Sequence, residues 1–381
     1  MGTLNQNSES FLECDKRFME LALRISTRAL GTSWPNPAVG CVLVKESRIL
    51  GLGWTAKGGR PHAETIALAQ AGKDARNATA YITLEPCSHY GQTGPCADAL
   101  IEAGIKRAVI AVSDPDKRVS GRGIDKLKSM GIEVQVGLFE DDALSINAGF
   151  FSAVNLKRPL ITLKLASSLD GRIAAEGGDS RWITGSLARA RGHLLRVEHD
   201  AILVGSGTVL SDNPSLTVRL PGLSDASPVR VILDNRLRVS KKHRVAEGSD
   251  GVATWFVSVE NEYNSDKFSE LSNNTNELIQ LKEGNDGRPE KNDILAMLVS
   301  KGITRLLIEG GGSVAASFLE SNLVDQIYWF RAPVLIGSNG IPSVGNMGLR
   351  SISEALRFNL KKRISLGDET LEIYLNREDK N

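Results

Sequence analysis

Strand-like and helix-like segments alternate twice along this chain, and a connector separates the two runs. That pattern constrains the fold more than any single motif. In the first run, Asp15 to Leu30 carries apolar residues at Phe18, Leu21, Ala22, Ile25 and Ala29, the helical period. Gly31-Thr-Ser-Trp-Pro-Asn-Pro37 is a cluster of breakers and reads as a loop. Val39 to Val44 and Ile49 to Trp54 read as a strand pair, followed by a helix over His62 to Ala71, a strand over Ala78 to Leu84 and a helix over Pro95 to Ala103. Ala108 to Val112, Gly123 to Met130 and Ile132 to Val136 continue as strand, helix, strand. Strands alternating with helices predict an α/β domain with a largely parallel sheet.

Leu144 to Arg158 reads as the connector. The second run opens with a strand over Leu160 to Ala166 and a helix over Ser186 to Glu198 that places Leu187, Ala190, Leu194 and Val197 on one face. Ala201 to Val204 and Val229 to Leu233 read as strands, Ser240 to Asp293 as mostly irregular, and Thr304 to Ile308, Ser313 to Ser321 and Asp325 to Ala332 as strand, helix, strand. A chain of 381 residues fits two such domains, drawn at 1–150 and 151–381.

Composition narrows the function classes. Apolar residues make up 41% and charged residues 24%, which is globular rather than disordered or fibrous. The formal net charge is +1, which argues against nucleic acid as the main partner. Met1 to Arg17 is polar with an acidic lean and lacks the basic and apolar regions of a secretion signal; Gln6 stands where a myristoylation motif needs Ser or Thr. Ala332 to Leu349 is free of charge but holds four Gly and two Pro, so it reads as a loop and not a membrane span. The expectation is a cytoplasmic protein. There, its four cysteines are suited to metal binding or chemistry rather than to pairing.

Three of the residues able to bind a metal fit one need. His62 opens a helix, Cys87 follows a strand, and Cys96 follows Pro95. One imidazole and two thiolates suit Zn²⁺ and leave a fourth tetrahedral position for water, whose pKa such a site lowers to about 7. Glu64, two residues from His62, is placed to ferry a proton to a leaving amine. Both cysteines are expected near helix N-termini, where the dipole favours thiolate. H-x-E followed by P-C-x-x-C marks zinc deaminases, but here eight residues, Ser88 to Pro95, separate Cys87 from Cys96 rather than two. The alternative on spacing alone is that the cysteines are buried apolar residues and His62 a helix-start residue, and His89 is a rival ligand. Cys14 and Cys41 read as structural.

Trp34-Pro-Asn-Pro-Ala-Val-Gly-Cys-Val-Leu-Val44, His62-Ala-Glu64 and Leu84-Glu-Pro-Cys-Ser-His-Tyr-Gly-Gln-Thr-Gly-Pro-Cys96 together resemble the riboflavin-biosynthesis branch of the cytidine-deaminase-like family, which has the long cysteine spacing. That family fuses a pyrimidine deaminase to a 5-amino-6-(5-phosphoribosylamino)uracil reductase. The resemblance implies zinc at His62, Cys87 and Cys96, with Glu64 as proton shuttle. It also implies a diaminopyrimidinone substrate carrying a 5-phosphoribosylamino group. Asn36 is a plausible substrate contact by analogy, or a turn residue between two prolines.

The second half carries a strand followed by Glu309-Gly-Gly-Gly-Ser313 and a helix, an arrangement that lets backbone approach an anion closely but lacks the G-x-G-x-x-G fingerprint. Arg189, His193 and Arg196 share one helix face, which is either solvated or meets a phosphate, and Gly205 to Arg219 reads as a long loop. Leu163-Lys-Leu-Ala-Ser-Ser-Leu-Asp-Gly-Arg-Ile173, Ser180-Arg-Trp-Ile-Thr184, Gly207-Thr-Val-Leu-Ser-Asp-Asn-Pro214 and Glu309-Gly-Gly-Gly312 resemble the reductase half of the same family, whose fold is similar to dihydrofolate reductase. The resemblance implies NADPH contacts at Ala166, Trp182, Thr208, Asp212, Asn235, Gly311, Gly312, Ser313, Val314, Ala315, Ala316 and Ser317. It implies substrate contacts at Ser180, Arg196, Leu216, Arg219 and Glu309, with Arg196 and Arg219 on the ribose 5-phosphate. Arg236 and Arg238 stay open for the cofactor's 2′-phosphate, and Asp212, Glu309 or a water for the proton donor. The expected partners are a small phosphorylated pyrimidine, without nucleic acid or membrane, and a homo-oligomer is allowed. Two rivals remain at this point, a nucleobase or tRNA deaminase with an added domain and a non-catalytic zinc module. The second leaves Glu64 unexplained, since a structural zinc site closes with four protein ligands.

Overall fold

The computed structural model describes residues 11–91, 94–116, 120–180 and 183–377. The chain divides into two compact units that part between Leu156 and Lys157. The first runs α1 (Glu13–Ser26), β1 (Gly40–Lys45), β2 (Arg48–Trp54), α2 (Ala63–Ala71), β3 (Thr79–Ile82), α3 (Cys96–Glu102), β4 (Arg107–Ile110), α4 (Arg122–Ser129), β5 (Glu133–Val136), α5 (Glu140–Ile146) and α6 (Ala148–Asn155).

Its five strands are ordered β2-β1-β3-β4-β5. β1 pairs antiparallel with both β2 and β3, while β3–β4 and β4–β5 are parallel. The expected largely parallel sheet is therefore mixed, because β1 and β2 form a hairpin. Alternation along β1 explains the layers: Cys41 and Leu43 pack with Ala63, Ala67, Leu100 and Leu127 on one face, while Val42 and Val44 pack with Phe18, Met19 and Leu138 on the other. Gly51 and Gly53 let α2 lie directly on β2; a Cβ there would stand 2.1 Å from the Ala67 carbonyl oxygen and 2.0 Å from that of Ala63. That contact fixes the height of His62 and Glu64 above the sheet.

The second unit runs β6 (Leu160–Ser167), β7 (Arg172–Ala174), α7 (Ser186–Val197), β8 (Ala201–Gly205), α8 (Ser206–Asp212), β9 (Val229–Leu233), α9 (Arg244–Glu247), β10 (Thr254–Val259), α10 (Glu262–Ser269), β11 (Asn276–Leu281), α11 (Lys291–Ser300), β12 (Arg305–Ile308), α12 (Gly312–Glu320), β13 (Gln326–Arg331), β14 (Ile341–Pro342), β15 (Phe358–Leu366) and β16 (Glu369–Asn376). Nine strands form one sheet, β11-β10-β9-β8-β12-β6-β13-β16-β15. From β11 to β13 every pairing is parallel; β16 and β15 close the sheet antiparallel. Buried carboxylates anchor the strand starts. One Asp200 oxygen accepts the N–H groups of Thr304 and Arg305 and the Thr304 hydroxyl, all within 2.9 Å. Asp325 receives both Arg158 amino groups and the Ile161 N–H.

Several sequence expectations are corrected. Leu144 to Arg158 is not a bare connector: α6 and the end of α5 lie within it, and Asn147 between them exchanges hydrogen bonds with the Ala38 backbone. Ser240 to Asp293 is not mostly irregular. It supplies β10, buried along its whole length, together with β11, α10 and the start of α11. Gly205 to Arg219 contains α8. On α7 the buried residues are Ala188 and Leu195, while Leu187 of the expected apolar face is 58% exposed.

Candidate functional site

The first site forms where two helices start and one strand ends. His62 immediately precedes α2, Cys96 is the first residue of α3, and Cys87 lies in the segment after β3. Their ligand atoms all lie within 4.8 Å of one another. His62 Nδ1 is 3.2 Å from Cys96 Sγ and 3.7 Å from Cys87 Sγ. A tetrahedral zinc with bonds of about 2.1 Å to nitrogen and 2.3 Å to sulfur has nitrogen–sulfur edges of about 3.6 Å, so donor type and spacing fit that ion. His89 is exposed and stands outside this cluster. Only Cys96 sits at a helix N-terminus, contrary to the expectation for both thiols. Cys87 reaches the same turn because the Cys96 N–H donates to its sulfur at 3.2 Å and the Ala97 N–H to its carbonyl at 3.1 Å.

Glu64, the second residue of α2, is 3% exposed. Burial, and then the Cys87 sulfur, pushes its carboxyl up to about 7. A carboxyl titrating near neutrality can both take and give a proton. The hydrogen bond from Cys96 holds the Cys87 thiol well below its ordinary range, and the same pairing pushes Cys96 up. Asn36 lies half-buried against Gly59, where a Cβ would stand 1.8 Å from its amide nitrogen.

Glu85 is a residue the sequence reading passed over. It is 3% exposed and accepts the backbone N–H groups of Asp114, Gly121, Gly123 and Ile124 at 2.9–3.3 Å. It thereby ties the segment carrying Cys87 to the start of α4. A carboxylate directly before Pro86-Cys87, in a strand end that otherwise reads as buried, was the available signal.

In the second unit the carboxyl ends of the parallel strands share one edge, where ligands of open α/β sheets bind. Ala166 lies near the end of β6, Ser206 begins α8 directly after β8, Asn235 follows β9, and Glu309 with its glycines follows β12. Two of these turns meet closely: a Cβ on Gly205 would stand 3.0 Å from Val314 Cγ2, and one on Gly311 3.2 Å from Thr208 Oγ1. Gly311 also has a φ of +62°, a conformation that side chains disfavour. Thr208 and Asp212 both belong to α8, and Gly312 to Ser317 to the first turns of α12. Asn235 accepts the Val259 N–H and donates to the Gly287 carbonyl. Trp182 lies outside the described residues, and Ser180 is exposed.

Glu309 organises the adjoining charges. Arg196 Nε and Nη2 donate to its two oxygens at 2.7 and 2.9 Å, and Lys164 Nζ lies 3.6 Å away. Burial pushes the Glu309 carboxyl up, but Arg196 and Lys164 overcome it and hold it down at about 2. Arg196 Nη1 donates to the Thr217 carbonyl at 2.8 Å, so the guanidinium is occupied on three sides. Arg219 is more open: its Nη1 donates to Ser215 Oγ and its backbone N–H to His193. Burial, then the nearby Arg196 and Arg219, lowers the pKa of His193. Leu216 between them is buried with a left-handed φ of +56°. Arg189, on the expected basic face, is exposed and bonds the Thr184 carbonyl. Lys164 went unremarked in the sequence, where its signal was one cation inside the apolar run Leu160 to Ala166.

Comparison with known proteins bears on both units. Residues 12–112 match the family model of the cytidine and deoxycytidylate deaminase zinc-binding region, and residues 159–371 match that of the RibD C-terminal domain. The chain is 43% identical to the riboflavin biosynthesis protein RibD of Aquifex aeolicus, over 96% of this chain and 99% of that one. It is 37% identical to its Escherichia coli counterpart, over 93% and 97%. Among solved structures, the chain is similar to a diaminohydroxyphosphoribosylaminopyrimidine deaminase/5-amino-6-(5-phosphoribosylamino)uracil reductase of Thermotoga maritima, with 36% identity, 95% and 98% coverage and a TM-score of 0.83. It is also similar to form 1 of Acinetobacter baumannii RibD, with 35% identity, 96% and 99% coverage and a TM-score of 0.85.

Proposed function

The chain belongs to the RibD family of bifunctional riboflavin-biosynthesis enzymes, and on that premise we propose how its residues divide the two reactions. It is a zinc-dependent pyrimidine deaminase joined to an NADPH-dependent reductase with a dihydrofolate-reductase-like fold. The observation that carries the residue assignment is the convergence of His62, Cys87 and Cys96 beside the buried Glu64.

His62, Cys87 and Cys96 would hold the zinc, which when bound would supply the Lewis acidity that makes a water nucleophilic at neutral pH. Glu64, buried beside the ligands, takes the proton of the attacking water and delivers it to the departing amine. Asn36, braced by Gly59, orients the ribose side of the substrate. The first unit, which ends at Leu156 rather than at residue 150, carries this half-reaction and the second carries the other.

When bound, NADPH would supply the hydride for conversion of the ribosyl group to a ribityl chain. Ala166, Thr208, Asp212, Asn235 and the turn from Gly311 to Ser317 would line the cofactor. Ser180, Leu216, Arg219 and Glu309 face the substrate. Arg219 takes the 5-phosphate directly, while Arg196 keeps Glu309 ionised and in place. The absence of disulfides among its four cysteines suits a cytoplasmic enzyme, and among the described residues no helix is long and apolar enough to cross a membrane. The substrate is a small phosphorylated pyrimidine, and self-association is compatible with this reading. Metal analysis tests the first site: one zinc per chain is expected, and Cys87→Ser should lose both the metal and deamination. Full zinc content in that variant would refute the assignment.

A further inference from the structure

We propose that Arg238 reads the 2′-phosphate of the reductase's dinucleotide cofactor and so sets its preference for NADPH over NADH. The proposal rests on the reductase reading above and concerns a contact that reading leaves unassigned.

β8 and β9 are parallel neighbours, with Gly205 opposite Leu233. The residues that follow them, Ser206 and the turn from Asp234 to Arg238, therefore stand side by side on the edge that carries the glycine turns. The turn is rigid. The Leu237 N–H donates to the Asp234 carbonyl at 3.0 Å, the Val239 N–H donates to Asp234 Oδ2 at 2.8 Å, and Leu237 is fully buried. Arg238 leaves this turn with its side chain 53% exposed, and its Nη2 donates to Ser206 Oγ at 2.8 Å. Asp234 Oδ1 lies 3.9 Å behind its Nε. Among the described residues these are its only partners, so most of the donors of the guanidinium fork face outward, and a fork of this shape matches a phosphate.

Two further points favour the 2′-phosphate. In Rossmann-type sites a carboxylate holds the ribose 2′-hydroxyl of NADH and an arginine accommodates the 2′-phosphate of NADPH; the fold here differs, but the charge argument is the same. Here the carboxylate after β9 is 1% exposed and turned to Val239 and Arg238 rather than outward. The other candidate, Arg236, is exposed, and its side chain makes no hydrogen bond among the described residues. Arg238, by contrast, is docked on the first residue of the helix that carries Thr208 and Asp212.

Calorimetric titration of the full chain with 2′-phospho-ADP-ribose and with ADP-ribose tests this without turnover. The wild-type protein should prefer the phosphorylated nucleotide. Arg238→Ala should weaken that nucleotide by about 10- to 100-fold, the scale of one charge-assisted contact. Its affinity for ADP-ribose should stay unchanged, and Arg238→Lys should fall between. An unchanged melting temperature checks the fold. A preference that survives Arg238→Ala, an equal loss in both titrations, or a loss confined to ribose 5-phosphate in a third titration would overturn the proposal. A wild-type protein that binds neither nucleotide would instead overturn the cofactor-site reading on which it rests, and the proposal with it.

Discussion

Glu309→Ala should destabilise the second unit strongly, because Glu309 compensates a buried cation. The side chains of Arg196 and Glu309 are 14% and 6% exposed, and the bond between them is bidentate. Removing the carboxylate leaves the guanidinium with the Thr217 carbonyl as its remaining bonded acceptor. Breaking one partner of a buried pair costs about 3–5 kcal/mol. The depression of the Glu309 carboxyl by the same pair, to about 2 from 4.5, is of the same order, roughly 3 kcal/mol. At about 2–4 °C per kcal/mol for a unit of this size, the calorimetric transition of the second unit should fall by roughly 6–20 °C. The same shift fixes the pH dependence. A depressed carboxyl contributes fully above its unfolded value of 4.5, and its contribution is lost as pH falls from there through about 2. The difference between wild type and variant should therefore narrow in that window. Replacing both partners, Arg196→Met with Glu309→Leu, should recover much of the loss, since no buried charge is then left alone. A single variant melting within about 2 °C of wild type would refute the claim that the pair is buried and coupled.

Three other outcomes follow from the same geometry. Glu64→Gln keeps the metal ligands but removes the proton carrier, so deamination should fall by roughly 10²-fold or more; reduction of the already deaminated substrate, followed by NADPH absorbance, should persist. Loss of that reduction in a folded variant would contradict independent sites. Gly311→Val places a branched side chain at a φ of +62° and 3.2 Å from Thr208 Oγ1, so NADPH binding measured by fluorescence titration should weaken sharply while deamination stays intact; unchanged NADPH affinity would remove the turn from the cofactor site. Arg219→Ala should raise the Kd for ribose 5-phosphate by about one to two decades, the scale of one charge-assisted contact; an unchanged Kd would place Arg219 outside the phosphate site.

The residue types of the zinc trio were legible, each standing after a proline (His62 after Pro61, Cys87 after Pro86, Cys96 after Pro95), but the long cysteine spacing left His89 and buried apolar cysteines as alternatives, and the family resemblance supplied the choice. The strand–glycine–helix turn after Ile308 was legible as well. The partner of Arg196 was not. Glu309 lies 113 residues away, and a basic helix face carries no record of the acid folded against it. β10 was hidden because Thr254 to Val259 is buried on both faces and so lacks alternation, and polar sequence flanks it, a loop before it and the start of α10 after it. The terminal hairpin escaped for the opposite reason. β15 is an edge strand whose Lys361, Lys362 and Arg363 are exposed, a pattern that protects sheet edges and resembles a loop in sequence. The helices around Asn147 read as a connector because each is only two turns long and the chain breaks at Asn147, too short for either to show a full helical period; the apolar residues Leu144, Ile146, Phe150 and Phe151 pack on the first unit's core.

The most direct measurement is the mass of the product made from the diaminopyrimidinone phosphoribosyl substrate by the zinc-loaded protein, with and without NADPH. Without the cofactor, the account predicts accumulation of a species in which one amine is replaced by oxygen. With NADPH, it predicts that this species gains two hydrogens on the sugar. Reduction without deamination, or deamination of free cytosine in preference to this substrate, would contradict it.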